Sequence, residues 1–293
     1  MTERRTGFSL IEVLVALSIG LCLTAMMFQL FHQNERVIRD QTLIMEMQQT
    51  ARIVASQIAE EIRMAGQGVP VYASTFDTLP SEAVAVILES SNASRIDFRA
   101  GLSNAETSTD GGAMDFDIGV SQSLPVRSTS GFSPGKFVYV SGTATGSAWS
   151  WMRAEVTAVS STTLTLIPRN TGTTDTTIHF AAAPGVSLEE AVSIYLSSGS
   201  VRRAVAGNTS SPSKPLWSAA NEIGKNFTDL TFRYYDDNGT AVQPGLLSDR
   251  MRITRVDIQL TVVVAAPLSN GSKPTYSLAL RTIPRNIRVH YAN

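Results

Sequence analysis

The chain opens on a long, nearly unbroken apolar stretch. From Phe8 to Phe31 every position is apolar or small except Glu12, Gln29 and a few hydroxyl-bearing residues. About twenty such residues cross a bilayer as a helix, so residues 8–31 are predicted to span a membrane. Neither proline nor glycine interrupts the next segment, from His32 to about Met64. There Val37, Ile44, Met47, Ala51, Val54, Ile58 and Ile62 recur at spacings of three, four or seven, while Gln33, Glu35, Arg36, Arg39, Gln49, Arg52, Glu60 and Arg63 fall largely elsewhere. That is one apolar face of a helix. The two halves join into a single predicted helix of roughly 57 residues, about 85 Å long. Its amphipathic half, 32–66, offers a seam on which a sheet can lie. The helix is expected to end in Ala65-Gly66-Gln67-Gly68-Val69-Pro70, where glycine leaves the helical conformation and proline cannot continue it.

Past Pro70 the pattern changes to strand and turn, in a globular head covering residues 67–293. Val84–Leu88 and Arg95–Phe98 read as short strands. The Ser, Thr, Gly and Asp-rich stretch from about Gly101 to Gly131 reads as an irregular connection. Lys136–Val140, Arg153–Val159 and Thr162–Ile167, the last two joined at Ser160-Ser161, suggest a small antiparallel unit. Residues from about 100 to 182 are therefore expected to form a β-rich insertion. Ala191–Leu196 and Val201–Ala206 flank a turn at Ser197-Ser198-Gly199. Leu230, Phe232 and Tyr234 then alternate with Thr231, Arg233 and Tyr235 ahead of Asn238-Gly239, a tight-turn signal. Val256, Ile258, Leu260, Val262 and Val264 share one face of a longer strand, and a last strand runs toward Pro284-Arg285-Asn286-Ile287. The expected fold class is α+β: a long N-terminal helix on an antiparallel β-sheet head.

Charge and chemistry-bearing residues narrow the function classes. The 293 residues carry a formal net charge of −1, with no global signal for nucleic acid. From Arg250 to Asn293, however, six arginines and Lys273 face Asp257 alone, a basic strand face that could meet DNA phosphates or neighbouring subunits. Cys22, the sole cysteine, lies in the apolar segment, so no internal disulfide can form. Asp110, Asp115 and Asp117 bracket Gly111-Gly112 but lack the spacing and terminal glutamate of a calcium loop. His32, His179 and His290 stand far apart in the sequence, and no metal or cofactor is expected. Trp149 and Trp151 flank Ser150 and are expected on one side of a strand, as local core for the insertion. No nucleophile elbow, zinc-protease helix motif or phosphate-cradling glycine loop is present, so the chain is not read as an enzyme.

The opening run Gly7-Phe8-Ser9-Leu10-Ile11-Glu12-Val13-Leu14 carries the most specific signal. A secretory signal is cut after its apolar region, yet Leu21–Phe31 shows no Ala-x-Ala pattern and passes directly into polar helix. The small residue suited to a cut is Gly7, ahead of the apolar run. Cutting there removes a seven-residue leader, retains the helix and frees an amine at Phe8. Arg4 and Arg5 are expected to hold that leader in the cytoplasm, with the head across the membrane. Glu12 is costly inside a span, on the order of 3 kcal/mol at the centre, and such residues usually have a partner.

Leader, Gly7, Phe8, Glu12 and apolar length together resemble the class III signal of type IV pilins and type II secretion pseudopilins. The order of strands in the C-terminal third is similar to that of PilW-type minor pilins and J-type minor pseudopilins. The resemblance implies cleavage after Gly7 by a prepilin peptidase and N-methylation of Phe8. It also implies pairing of the Glu12 carboxylate with the N-terminal amine of a neighbouring subunit, where each charge offsets the other's desolvation. The implied partners are a major pilin, other minor pilins and the inner-membrane assembly platform; the implied location is the inner membrane and then the pilus. The implied role is a minor pilin that primes or caps a pilus serving adhesion, twitching motility or DNA uptake. Alternatives are a J-type pseudopilin of type II secretion, and an adhesin or DNA-contact subunit acting through the insertion. The chain departs from many major pilins in having no proline before Pro70; Gly20 is the weak point of the span.

Overall fold

The computed structural model describes residues 9–73, 79–144 and 149–285. Helix α1, Leu10–Arg63, contains 54 residues and is about 81 Å long. It stops at Met64 in the helical region, after which Gly66 and Gly68 take positive φ. Strands β1 (Arg95–Arg99), β2 (Glu106–Ser108), β3 (Met114–Asp117), β4 (Gln122–Pro125), β5 (Phe137–Thr143) and β6 (Trp149–Val159) follow. Next come β7 (Thr163–Thr171), β8 (Thr177–Phe180), β9 (Gly185–Leu188), β10 (Ala191–Ser197), β11 (Ser200–Asn208), β12 (Leu216–Trp217) and β13 (Asn221–Lys225). The chain continues through β14 (Phe227–Tyr235), β15 (Ala241–Val242), a short helix α2 (Leu247–Met251), β16 (Arg255–Val263) and β17 (Thr275–Thr282). All strand pairs are antiparallel, which gives the α+β architecture expected from the sequence.

The head divides into two lobes with separate cores. In the first, sheets β1-β10-β11-β12, with β13 on β11, and β15-β14-β16-β17 enclose the C-terminal half of α1. Met47, Ala51, Val54, Ile58 and Ile62 are buried there, so the seam is used as its spacing predicts. Val37 is not; it stays exposed because the head reaches down only to about Asp40. At Gly224 of β13 the sheet comes so near the helix that an added Cβ would lie 2.6 Å from Val54 Cγ2. In the second lobe, sheet β2-β9-β5-β6-β7-β4 and the pair β3-β8 enclose Leu124, Val138, Val140, Met152, Ala154, Leu164 and Leu166.

Several segments differ from the pattern-based expectation. Val84–Leu88 is no regular strand: Arg99 N donates to Val86 O and Leu88 N to Asp97 O, but the Arg99 guanidinium takes Ala85 O and the Tyr139 hydroxyl takes Ala83 O. Side chains occupy the carbonyls a ladder would have used. The stretch from Gly101 to Gly131 contains β2, β3 and β4, short strands whose few apolar anchors, such as Phe116 and Leu124, leave little alternation to read. Trp151 is buried in the first lobe's core, not the insertion's, because it lies on the head-facing side of β6; Trp149 is largely exposed. The last strand ends at Thr282, and Asn286 and Ile287 lie outside the described residues.

A buried charge cluster joins the lobes. Glu189, on the return from β9 to β10, accepts from Arg99 Nε at 2.9 Å, from Arg153 Nε at 2.7 Å and from the Tyr139 hydroxyl at 3.2 Å. Arg99 belongs to β1 of the first lobe, whereas Arg153 and Tyr139 come from β6 and β5 of the second. Their remaining donors reach Pro212 O at 2.6 Å and Thr209 O, in the loop after β11, and Arg153 lies 3.9 Å over the Phe137 ring. Burial opposes the charge on Arg99, but the Glu189 carboxylate outweighs it and holds its pKa above the ordinary value. Burial pushes the Tyr139 hydroxyl up, so it remains a donor. Glu189→Ala would leave two guanidinium groups buried and unpaired, at a cost of about 3–5 kcal/mol. Thermal denaturation should show a large drop in Tm, and limited proteolysis should cut first between the lobes; a Tm within a degree of the parent would refute the clamp.

Candidate functional site

The first half of α1 touches no part of the head among the described residues. Leu10, Leu14, Leu17, Leu21, Phe28 and Phe31 are all more than half exposed, and the helix includes a window long and apolar enough to cross a membrane. Two hydroxyls within this half are satisfied locally. Ser18 Oγ donates to Leu14 O at 2.8 Å and Thr24 Oγ1 to Gly20 O at 2.7 Å, each one turn back. Hydrocarbon demands this, since it offers no water to an unpaired hydroxyl.

Gly7 and Phe8 lie outside the described residues. Ser9 is extended and caps α1, and its backbone N–H donates to Glu12 Oε2 at 3.1 Å. Glu12 therefore occupies the N3 position of a capping pair, where a carboxylate also meets the positive end of the helix dipole. One carboxylate oxygen is held in this way; the other takes no hydrogen bond from the described residues. Glu12 shares a helix face with Ala16, Gly20 and Thr24, spaced by four, and these line a shallow trough with Val13, Leu17 and Leu21. An added Cβ at Gly20 would meet nothing within 4 Å, so a second helix can approach closely there. The arrangement holds no nucleophile or acid–base pair; what it offers is a docking face with one charge at its end.

The remaining sequence candidates are dispersed. Asp110 pairs with Arg127 at 3.1 Å, Asp115 with His179 Nδ1 at 2.7 Å and Asp117 with Thr177, so the three carboxylates serve separate partners. His32 lies 3.4 Å from Glu35 on the exposed helix, and His290 is outside the described residues. Among the described residues no group of three His, Cys, Asp or Glu is placed to hold a metal. Cys22 is exposed on α1. The basic C-terminal run is split up as well. Arg250 is buried against Glu82, Arg252 pairs with Asp236 at 2.6 Å, and Arg255 and Arg281 converge on Asp257 at 3.3 and 3.5 Å.

One positioning contact had no sequence signal. Ser269, in the turn between β16 and β17, donates its N–H to both Asp40 carboxylate oxygens at 3.0 Å, and its hydroxyl also donates to Asp40. These residues are 229 positions apart, and neither stands in a motif. The contact pins the lower edge of the head to α1 and sets where the free helix begins. The Ser269 hydroxyl, with its N–H and Arg39, holds the Asp40 carboxyl below the usual aspartate range despite some desolvation. Because the folded-state pKa is the lower one, the contact contributes stability above the ordinary aspartate value of about 4 and loses it as pH falls through the lowered value. Hydrogen exchange, corrected for intrinsic rates, should show residues 265–274 protected at neutral pH and released in acid. Asp40→Ala should be unprotected at both; protection that survives that substitution would exclude the latch.

Residues 3–28 match the prokaryotic N-terminal methylation motif. No curated protein matches the chain. Among solved structures, the phage phi92 endosialidase aligns at 12% identity over 65% of this chain and 44% of its own, with a TM-score of 0.19, too low to indicate a shared fold. The chain thus spans less than half the length of that structure. The methylation motif, set on a 54-residue helix whose apolar half stands clear of the head, supports a type IV pilin-like protein, a structural subunit made as a prepilin and anchored by its N-terminal helix.

Proposed function

We propose that this chain is a minor pilin, cut after Gly7, N-methylated at Phe8 and used in small numbers to prime or cap a type IV pilus. The observation that carries this reading is the division of α1: an exposed apolar half bearing the methylation motif, and a buried half bearing the head. An exposed stripe from Leu10 to Phe31 is unstable in water and needs lipid before assembly and neighbouring helices afterwards. Glu12 then acts twice. In the membrane it caps its own helix through Ser9, and in the filament its other oxygen accepts the amine of a neighbour's Phe8. The two-lobed head supports a terminal position, since a second sheet fused beside the first widens each subunit and crowds a helical array.

Mass spectrometry of the membrane-extracted protein should find a chain beginning at N-methylated Phe8. A mature chain that retains Met1 would sink the proposal. In a second test, Glu12→Ala should be processed normally yet recovered in sheared pili at about a tenth of the parent level, the size expected for loss of a charge-assisted contact worth about 1.5 kcal/mol. Parent-level recovery would remove the pairing role. Co-isolation with a secretion apparatus in place of pilus subunits would redirect the assignment to a type II pseudopilin.

A further inference from the structure

On the head-facing side of the second lobe's sheet, the cover supplied by the first lobe stops short of the edge. Tyr139 and Trp151 are fully buried on that side, but Trp149, two residues before Trp151, is 44% exposed, and Tyr72, from the segment after α1, is 51% exposed. Their rings meet edge to face at 5.1 Å and 85°. Tyr72 also forms the wall of a cleft of about 260 Å³, lined by Glu106, Thr107, Ser141 and Ser187. The register explains the grouping. Glu106 lies opposite Ser187, Ser141 opposite Gly185, and Thr143 opposite Trp149, so Glu106, Ser187, Ser141 and Trp149 project from one face of β2-β9-β5-β6, while Thr107, opposite Val186, projects from the other.

The chemistry of the cleft is selective. The Tyr72 hydroxyl and Ser141 Oγ share a hydrogen bond at 2.8 Å, and Ser187 Oγ donates to Gly68 O at 2.6 Å. These contacts fix the hydroxyls while leaving lone pairs for an occupant. No hydrogen bond or ion pair engages the Glu106 carboxylate among the described residues, and neither Lys nor Arg lines the cleft. An anion would meet Glu106 without a compensating cation. A neutral ligand suits the cleft when it has an apolar face for Tyr72 and adjacent hydroxyl groups to donate to the carboxylate.

We propose that the cleft between Tyr72 and Glu106, with Trp149 at its rim, is a binding site for one ring of a neutral saccharide. A pyranose has such a face of C–H groups and a rim of hydroxyls, and the cleft is smaller than the roughly 300–1,000 Å³ of sites for drug-sized ligands. The ring stacks on Tyr72, with Trp149, nearly perpendicular to it, at the ring's edge; two neighbouring hydroxyls donate to Glu106, and others reach Ser141 and Ser187. This role goes beyond assembly and is independent of it.

The test uses the full chain in lipid nanodiscs, where no glycosidic detergent competes. Saturation-transfer NMR would be recorded with N,N′-diacetylchitobiose, lactose, maltose and N-acetylneuraminic acid, each up to about 10 mM to cover weak single-ring affinities. At least one neutral sugar should receive saturation and the anionic one should not. Glu106→Gln, an exposed change that leaves folding intact, should weaken binding about tenfold through loss of a charge-assisted contact, and Trp149→Ala should abolish it. Absence of transfer to all three neutral sugars, transfer to the anionic sugar alone, or binding unchanged in both variants would overturn the site. Processing at Gly7 is read separately by mass spectrometry, so neither failure masks the other.

Discussion

Glu189 is a single carboxylate shared by two buried guanidinium groups, one from each lobe of the head, and the relation of the two sheets depends on it. A charge cluster of this kind is an indifferent source of stability but a strong source of specificity, because each donor has only one acceptor that satisfies it. Two apolar sheets could slide against each other at little cost. Arg99 and Arg153 cannot, since a shift of one residue would bury their charge unpaired. Pro212 O and Thr209 O, in the loop after β11, and Ala85 O extend the cluster to two further segments, so the irregular chain around it is held by side chains in place of a ladder.

The same economy explains how one helix serves two surroundings. The seam from Met47 to Ile62 is dry because two sheets cover it, and the half before Asp40 is uncovered. Nothing in helix propensity marks the change, since α1 runs through it without a break. The boundary is set by a turn of the head reaching down to Asp40. Below it, the hydroxyls of Ser18 and Thr24 turn back onto the helix backbone, and Glu12 is held by its own cap.

Locking the second lobe in this orientation also decides which part of its inner face stays open. Tyr139, Trp151 and Arg153 are consumed by the clamp and the first lobe's core, while Trp149, two residues earlier on β6, emerges at the rim beside Tyr72. Two tryptophans of the same face thus have opposite fates. A subunit whose helix is committed to assembly can carry a ligand site only on surface that assembly leaves free, and this rim lies at the far end of α1 from the apolar half.

The sequence by itself determined the local, periodic and covalent features: the apolar length of the span, the seam of the helix, the alternation of β14 and β16, and the Gly7-Phe8 run with Glu12 behind it. These depend on neighbours within a turn or a strand, so they can be read along the chain. Its reading failed where burial replaces periodicity, as in the irregular Val84–Leu88, and where short edge strands bury one residue each, as in β3 and β4. Only the tertiary structure decided that Arg99, Glu189 and Arg153 meet, that Ser269 reaches Asp40, and that Tyr72 stands beside Trp149. Those contacts join residues tens to hundreds of positions apart through side chains whose types are common on any surface, and their energy comes from the low-dielectric setting that folding creates.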